Sequence, residues 1–227
     1  MTLCSCSDWF DVSPKTDVKA AELFESEDGF MEALAGIYVS MTDDAAYGDN
    51  LSFGMLDQMA QLYDMIPDGA TDRSEIYDYT NTTSGGYNTK GKLADSWGKA
   101  YNIIANANNL LKWLDEKGVT VITNEQTRNM IRGEALAIRA YVHFDILRGW
   151  GPIYSENPST KCMPYRTTAD KEKMPLLPAN EVAEKIIADL TEAKDLLSYE
   201  STLSLGETAN LERLLVVNRE GASAEDD

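Results

Sequence analysis

The stretch Gly133-Glu-Ala-Leu-Ala-Ile-Arg-Ala-Tyr-Val-His-Phe-Asp-Ile-Leu-Arg-Gly-Trp-Gly-Pro152 decides the fold. With Ile131 just ahead of it, apolar side chains recur at Ala135, Leu136, Ile138, Ala140, Tyr141, Val142, Phe144, Ile146 and Leu147, nearly all round the helix. A helix of this kind belongs in the middle of a domain. The spacing predicts a helix over about 125–149. A Thr123–Gln126 capping box opens it. Gly149-Trp-Gly-Pro152 closes it, since Gly suits the C′ position and Pro cannot continue a helix. Phe144 is expected in the core, where Phe144→Ala costs about 3–5 kcal/mol. His143 reads as a packing residue with no role in turnover. Arg139, Asp145 and Arg148 read as structural ion pairs with neighbouring helices, because a charge on so apolar a helix must be paired.

Working outward, the flanking segments repeat the helical period. Ser26 is a candidate N-cap, with Glu27 and Asp28 in the first turn, where the helix dipole favours anions. Phe30, Ala33, Leu34, Ile37, Tyr38 and Met41 follow at helical spacing. After a polar turn at 43–50, a second helix places Ser52, Met55, Leu56, Met59, Leu62 and Tyr63 on one face. A third carries Leu93, Trp97, Ala100, Tyr101, Ile104, Asn108 and Leu111, and is expected to stop at Lys117-Gly118. Val119 to Thr123 then reads as a short extended connector. Beyond Pro152 lies a Pro-marked coil. A further helix runs from about Asn180 with Val182, Ile186, Ile187, Leu190, Ala193 and Leu197 inward, and a short one is expected at 207–217. No strand-turn-helix alternation is present, so the class is all-α. Helix pairs at this spacing fit a tetratricopeptide-like solenoid; an irregular helical bundle fits the pattern equally well.

From Pro67 to Gly91 the period breaks. A polar loop this long is uncommon within a compact domain and is often functional. It holds Tyr77, Tyr79 and Tyr87 beside Asp78, Asn81 and Asn88. Flat rings next to amides and hydroxyls suit a sugar: the rings cover its apolar face and the polar groups take its hydroxyls. Tyr77, Tyr79, Asn81 and Tyr87 are therefore the candidate glycan-binding residues. The alternative is that the rings anchor the loop onto the domain.

Composition narrows the function. The 227 residues are 43% hydrophobic and 26% charged, with 20 Lys and Arg against 38 Asp and Glu, a net charge of −18. That balance argues against nucleic acid and against adsorption to an anionic membrane surface. No run approaches the length of a membrane-spanning helix. The single histidine excludes multi-histidine metal sites. The 43–50 acids lack the spacing of a calcium loop, and no phosphate-binding Gly loop or Gly-x-Ser-x-Gly elbow occurs. The expectation is a protein with no metal, no cofactor and no catalytic residue. Three cysteines are too few for a disulfide framework. Leu3-Cys4-Ser5-Cys6 has the shape of a bacterial lipobox with Cys6 as the acylated residue, although the basic and apolar segments of a secretory signal do not precede it.

Several stretches together resemble the SusD/RagB family of Bacteroidetes outer-membrane nutrient-binding lipoproteins. They are Cys6-Ser-Asp-Trp-Phe-Asp-Val-Ser-Pro14, Phe30 to Tyr38, Trp97 to Asn108, Gly133 to Pro152, and Val182 to Leu197 with Asp189-Leu190 and Ala193. Their order along the chain is the family's. The resemblance implies an all-α fold of tetratricopeptide-like helix pairs with long irregular loops. It implies a non-catalytic, lipid-anchored protein of the outer-membrane surface that binds an oligosaccharide or polysaccharide and works with a TonB-dependent transporter. Family proteins are longer, so the chain resembles their N-terminal portion. The expected organisation is a lipoprotein terminus and extended arm at 1–25, a helical domain at 26–220 and an acidic disordered tail at 221–227. The rival readings are a helical-repeat adaptor that binds another protein, and a helical glycosidase with paired carboxylates.

Overall fold

The structure is a computed structural model and describes residues 21–62, 89–170 and 172–198. Its helices are α1 (Glu27–Met41), α2 (Met55–Met59), α3 (Thr89–Val121), α4 (Glu125–Trp150) and α5 (Ala179–Leu197). A two-stranded antiparallel ladder joins β1 (Lys161–Met163) to β2 (Leu177–Pro178). The fold is all-α, as the periodicity requires.

Helix α1 starts where the sequence says. Ser26 is extended, and its Oγ accepts the Gly29 N–H at 3.1 Å, with Glu27 and Asp28 in the first turn. Phe30, Leu34 and Ile37 are buried. Just upstream, Phe24 packs against Phe30 at 4.8 Å and stacks on Trp113 at 5.4 Å, which fastens α1 to α3. Tyr38, expected on the inner face, lies at the rim instead. Its hydroxyl donates to Glu134 Oε2 at 2.7 Å, and partial burial beside that carboxylate pushes the phenol pKa up to about 12.

Helix α4 is central: α1, α3 and α5 all pack on it. Only residues 122–124 separate it from α3, so the two helices form an antiparallel hairpin. Ile103, Ile104, Ala107 and Leu110 of α3 share one core with Ala135, Ile138, Val142 and Ile146 of α4 and with Val182 and Ile186 of α5. Where α5 crosses α4, a Cβ on Gly133 would lie 2.7 Å from Leu197 Cγ; glycine permits the close approach there.

Four expectations are corrected. The cap of α4 is Asn124, not Thr123: its Oδ1 accepts the Gln126 N–H at 2.8 Å. Asn124→Ala is expected to cost about 1 kcal/mol in a urea melt, with Thr123→Ala near zero. Gly118 does not stop α3, which runs on to Val121, with the Ile122 N–H donating to Gly118 O at 2.9 Å. Burial of Ile122 pulls the chain onward, and the Leu114 side chain occupies the space a Cβ at 118 would need. Tertiary packing overrides the local stop signal. Helix α2 is a single short stretch, because Gln61 takes φ 54° directly after it; Leu62 is exposed.

The fourth correction concerns Phe144, which is 49% exposed. Neighbours cover the α4 sides that carry Ile138, Val142 and Ile146, and these are buried. The side carrying Tyr141 and Phe144 is open among the described residues. The full core penalty expected for Phe144→Ala applies to Ile146, not to this half-exposed ring.

Candidate functional site

Tyr77, Tyr79, Asn81 and Tyr87 lie outside the described residues, as does Cys6. The segments that flank that loop in sequence are described. Trp97, on α3, packs against Tyr101 at 5.0 Å and edge-on against Trp150 of α4 at 5.6 Å. The 43–50 acids, just before α2, are bound by lysines of α3. Asp43 pairs with Lys99 at 3.0 Å, and Asp49 with Lys92 at 3.5 Å. Lys92 also donates to Asn50 Oδ1 at 2.9 Å, and the Asn50 amide donates to Ser96 Oγ at 3.1 Å in a buried contact. These acids fasten a turn to a helix. Among the described residues, no group of three or more His, Cys, Asp or Glu side chains is placed to hold a metal ion.

The polar heart of the domain lies between α3, α4 and α5. Arg139 forks onto Asp189, with Nε to Oδ2 at 2.6 Å and Nη2 to Oδ1 at 2.7 Å. Its Nη1 donates to Asn108 Oδ1 at 2.9 Å, and the Asn108 amide reaches the Arg166 and Thr168 carbonyls at 3.1 and 3.2 Å. Tyr165 donates to Asp189 Oδ2 at 2.5 Å; burial, then that carboxylate, pushes its phenol pKa up. The cluster is bidentate and nearly fully satisfied, as a buried pair requires.

His143 completes it. Its Nε2 accepts the Arg166 N–H at 3.1 Å, so the ring's proton sits on Nδ1 and is donated to Arg139 O at 2.8 Å. The ring stacks on Tyr165 at 3.9 Å and meets Tyr101 edge-on. It is fully buried, and desolvation lowers its pKa to about 4. With both nitrogens occupied, His143 positions the 164–168 segment and has no free face for proton transfer. The packing role read from the sequence holds. The ion-pair reading holds for Arg139. Asp145 and Arg148 differ: they pair with each other within α4 at 2.7 Å, three residues apart.

Sequence reasoning did not anticipate a groove of about 620 Å³ along α4 and α5, lined by Tyr141, Phe144, Ala183, Ile187 and Leu190 and, beyond α4, by Tyr154. The signal was present. Both helices carry more apolar residues than one buried stripe holds, and Ile187 is 62% exposed. The groove's lining is aliphatic and aromatic, with Arg148 as its charged group. That chemistry suits an apolar segment, whereas a sugar needs many hydroxyl partners.

Comparison with known proteins completes the site. A family model described as SusD-like, starch-binding associating with outer membrane, matches residues 8–208. A SusD-like protein of Formosa agariphila is 27% identical over 203 residues, 87% of this chain and 36% of that one. A second from the same organism is 25% identical over 166 residues, 67% of this chain and 29% of that one. Among solved structures, a SusD superfamily protein of Bacteroides thetaiotaomicron aligns at TM-score 0.61 and 21% identity, covering 75% of this chain and 37% of its own. A putative sugar binding protein of Bacteroides vulgatus aligns at TM-score 0.62 and 23% identity, covering 76% and 37%. These structures share the fold. The chain spans about a third of the length of the relatives it matches.

Proposed function

This chain belongs to the SusD-like family, and from that premise we propose that it is part of a non-catalytic glycan-binding protein of the outer-membrane surface. The observation that carries the reading is the family match over residues 8–208, whose description is starch binding in association with the outer membrane. The bound species is an oligosaccharide or polysaccharide. The partner is a TonB-dependent outer-membrane transporter, to which the protein delivers its ligand. The interior supports a binding role over a catalytic one. The sole histidine has both nitrogens committed, and Asp189 and Asp145 are each held by an arginine. The 67–91 loop forms one side of the glycan site, with Tyr77, Tyr79 and Tyr87 as stacking rings and Asn81 as a hydroxyl partner. The Trp97–Tyr101–Trp150 cluster is a rigid base on which to hold it.

Retention of the full-length protein on immobilised polysaccharides, starch first, tests the binding reading. Loss of the right Tyr in Tyr77→Ala, Tyr79→Ala or Tyr87→Ala is expected to cost about 2 kcal/mol, roughly thirtyfold in affinity, with the melt unchanged. Three variants that bind like the parent would move the site elsewhere. Reducing-sugar release during incubation would replace this reading with the glycosidase one.

Cys6 is proposed as the lipid-bearing residue. One acyl chain holds a protein to a membrane only marginally, whereas several anchor it. In cells expressing the full precursor, Cys6→Ser should shift the protein out of the outer-membrane fraction and abolish fatty-acid labelling. Label that survives in Cys6→Ser but vanishes in Cys4→Ser would assign the lipid to Cys4.

A further inference from the structure

Building on the glycan-binding reading, we propose that a cavity between the 51–60 segment and the end of α4 holds one sugar ring, with Asp145 as its hydroxyl acceptor. The cavity has a volume of about 470 Å³. Small-molecule sites occupy roughly 300–1,000 Å³. Ser52, Leu56 and Asp57 line it from the 51–60 segment, and Asp145, Arg148 and Trp150 line it from α4.

Asp145 points to a ligand. Its side chain is 5% exposed. Oδ1 accepts an Arg148 N–H at 2.7 Å, whereas Oδ2 is buried with no hydrogen-bond partner among the described residues. An unpaired buried carboxylate oxygen is costly, and a hydroxyl donated from the cavity relieves that cost. Tyr47 stands near the same carboxylate: burial, then the Asp145 charge, raises its phenol pKa, and its hydroxyl is also buried without a partner. Tyr47 does not line the cavity, so it is the internal rival for Oδ2 and not a ligand contact.

The rest of the lining suits a neutral polyol. A guanidinium carries several N–H donors, so Arg148 can serve hydroxyl oxygens while it holds Asp145. The Ser52 hydroxyl proton is spent on the Tyr47 and Asp49 carbonyls at 2.9 and 3.2 Å, which leaves its oxygen as an acceptor. Trp150, packed edge-on against Trp97, offers an indole to the apolar face of a sugar. Two carboxylates disfavour an anion, and Arg148 counters a cation. The α4–α5 groove has no such set of hydroxyl partners.

Calorimetry of the full-length protein tests this with maltoheptaose, then with cellohexaose, xylohexaose and laminarihexaose. Asp145→Asn should weaken binding of the sugar that binds by about tenfold or more, the loss of one charge-assisted bond. Asp57→Asn, on the facing segment, should weaken it several-fold, and it decides the matter if Asp145→Asn does not fold. Tyr47→Phe and Phe144→Ser, which change no cavity residue, should bind as the parent does. Parent-like affinity in both Asp145→Asn and Asp57→Asn would overturn this inference and leave the glycan reading standing. An equal loss in Tyr47→Phe or Phe144→Ser would also overturn it, since the effect would then be on the fold. A parent that binds none of the four sugars would overturn this site and the glycan reading together.

Discussion

Arg139→Met is expected to lower the stability of the chain by about 3–5 kcal/mol. Arg139 is 8% exposed, and its guanidinium makes a fork to Asp189 plus a bond to Asn108. Removing it leaves a carboxylate inside the α3–α4–α5 core with Tyr165 as its remaining side-chain donor. The loss reflects that stranded charge, not the intrinsic worth of the pair. Arg139→Met combined with Asp189→Leu, which removes both charges, should therefore recover most of the stability. Urea unfolding of the two single variants and the double variant measures the cycle. A single variant as stable as the parent would mean that the pair is not desolvated. A double variant worse than both singles would mean that the charges themselves specify the packing.

Acidification is expected to weaken the fold through His143. Its pKa lies at about 4 in the fold, because burial disfavours the imidazolium, against an ordinary value of about 6.5. The sign follows from proton uptake. Between these two values the unfolded chain binds a proton that the native chain refuses, so stability falls as pH drops from about 6.5 to about 4. A gap of this size corresponds to about 3 kcal/mol. Arg139 opposes protonation of the ring and Asp189 favours it, but desolvation is the larger cause. The many surface carboxylates also respond to acid, so the measurement is a difference. Parent and His143→Gln are each unfolded in urea from pH 7 to pH 4, and their stability difference is followed. That difference should shrink by about 3 kcal/mol over the window. A constant difference would place the ring in contact with water.

The order of helices was legible because it rests on local chemistry. Ser26 caps α1, the apolar density of 131–147 made α4 central, and the ordered motifs carried the family. What escaped depends on contacts distant in sequence. Arg139 could be read as paired, yet its partner stands fifty residues away in α5. Asn108 was read as one more residue on a helix face, while its amide ties α3 to the 166–168 segment. Gly118 looked like a stop because propensity is local, and the burial of Ile122 is not. An apolar helix need not be a covered one, which is why Phe144 reads as core in the sequence while Tyr141, Phe144, Ile187 and Leu190 line a groove. The short β1–β2 ladder, only two and three residues long per strand, has too little sequence to show a period. It nonetheless leads to Tyr165, which the polar cluster needs.

The central claim is that this family member binds glycan without turning it over. Titration calorimetry of the full-length protein with starch-derived oligosaccharides, then with a broader oligosaccharide panel, tests it most directly when the recovered sugar is sized afterwards. The account predicts saturable heat with at least one glycan and recovery of that glycan intact. No heat with any member of the panel, or recovery of shortened sugar, would contradict it.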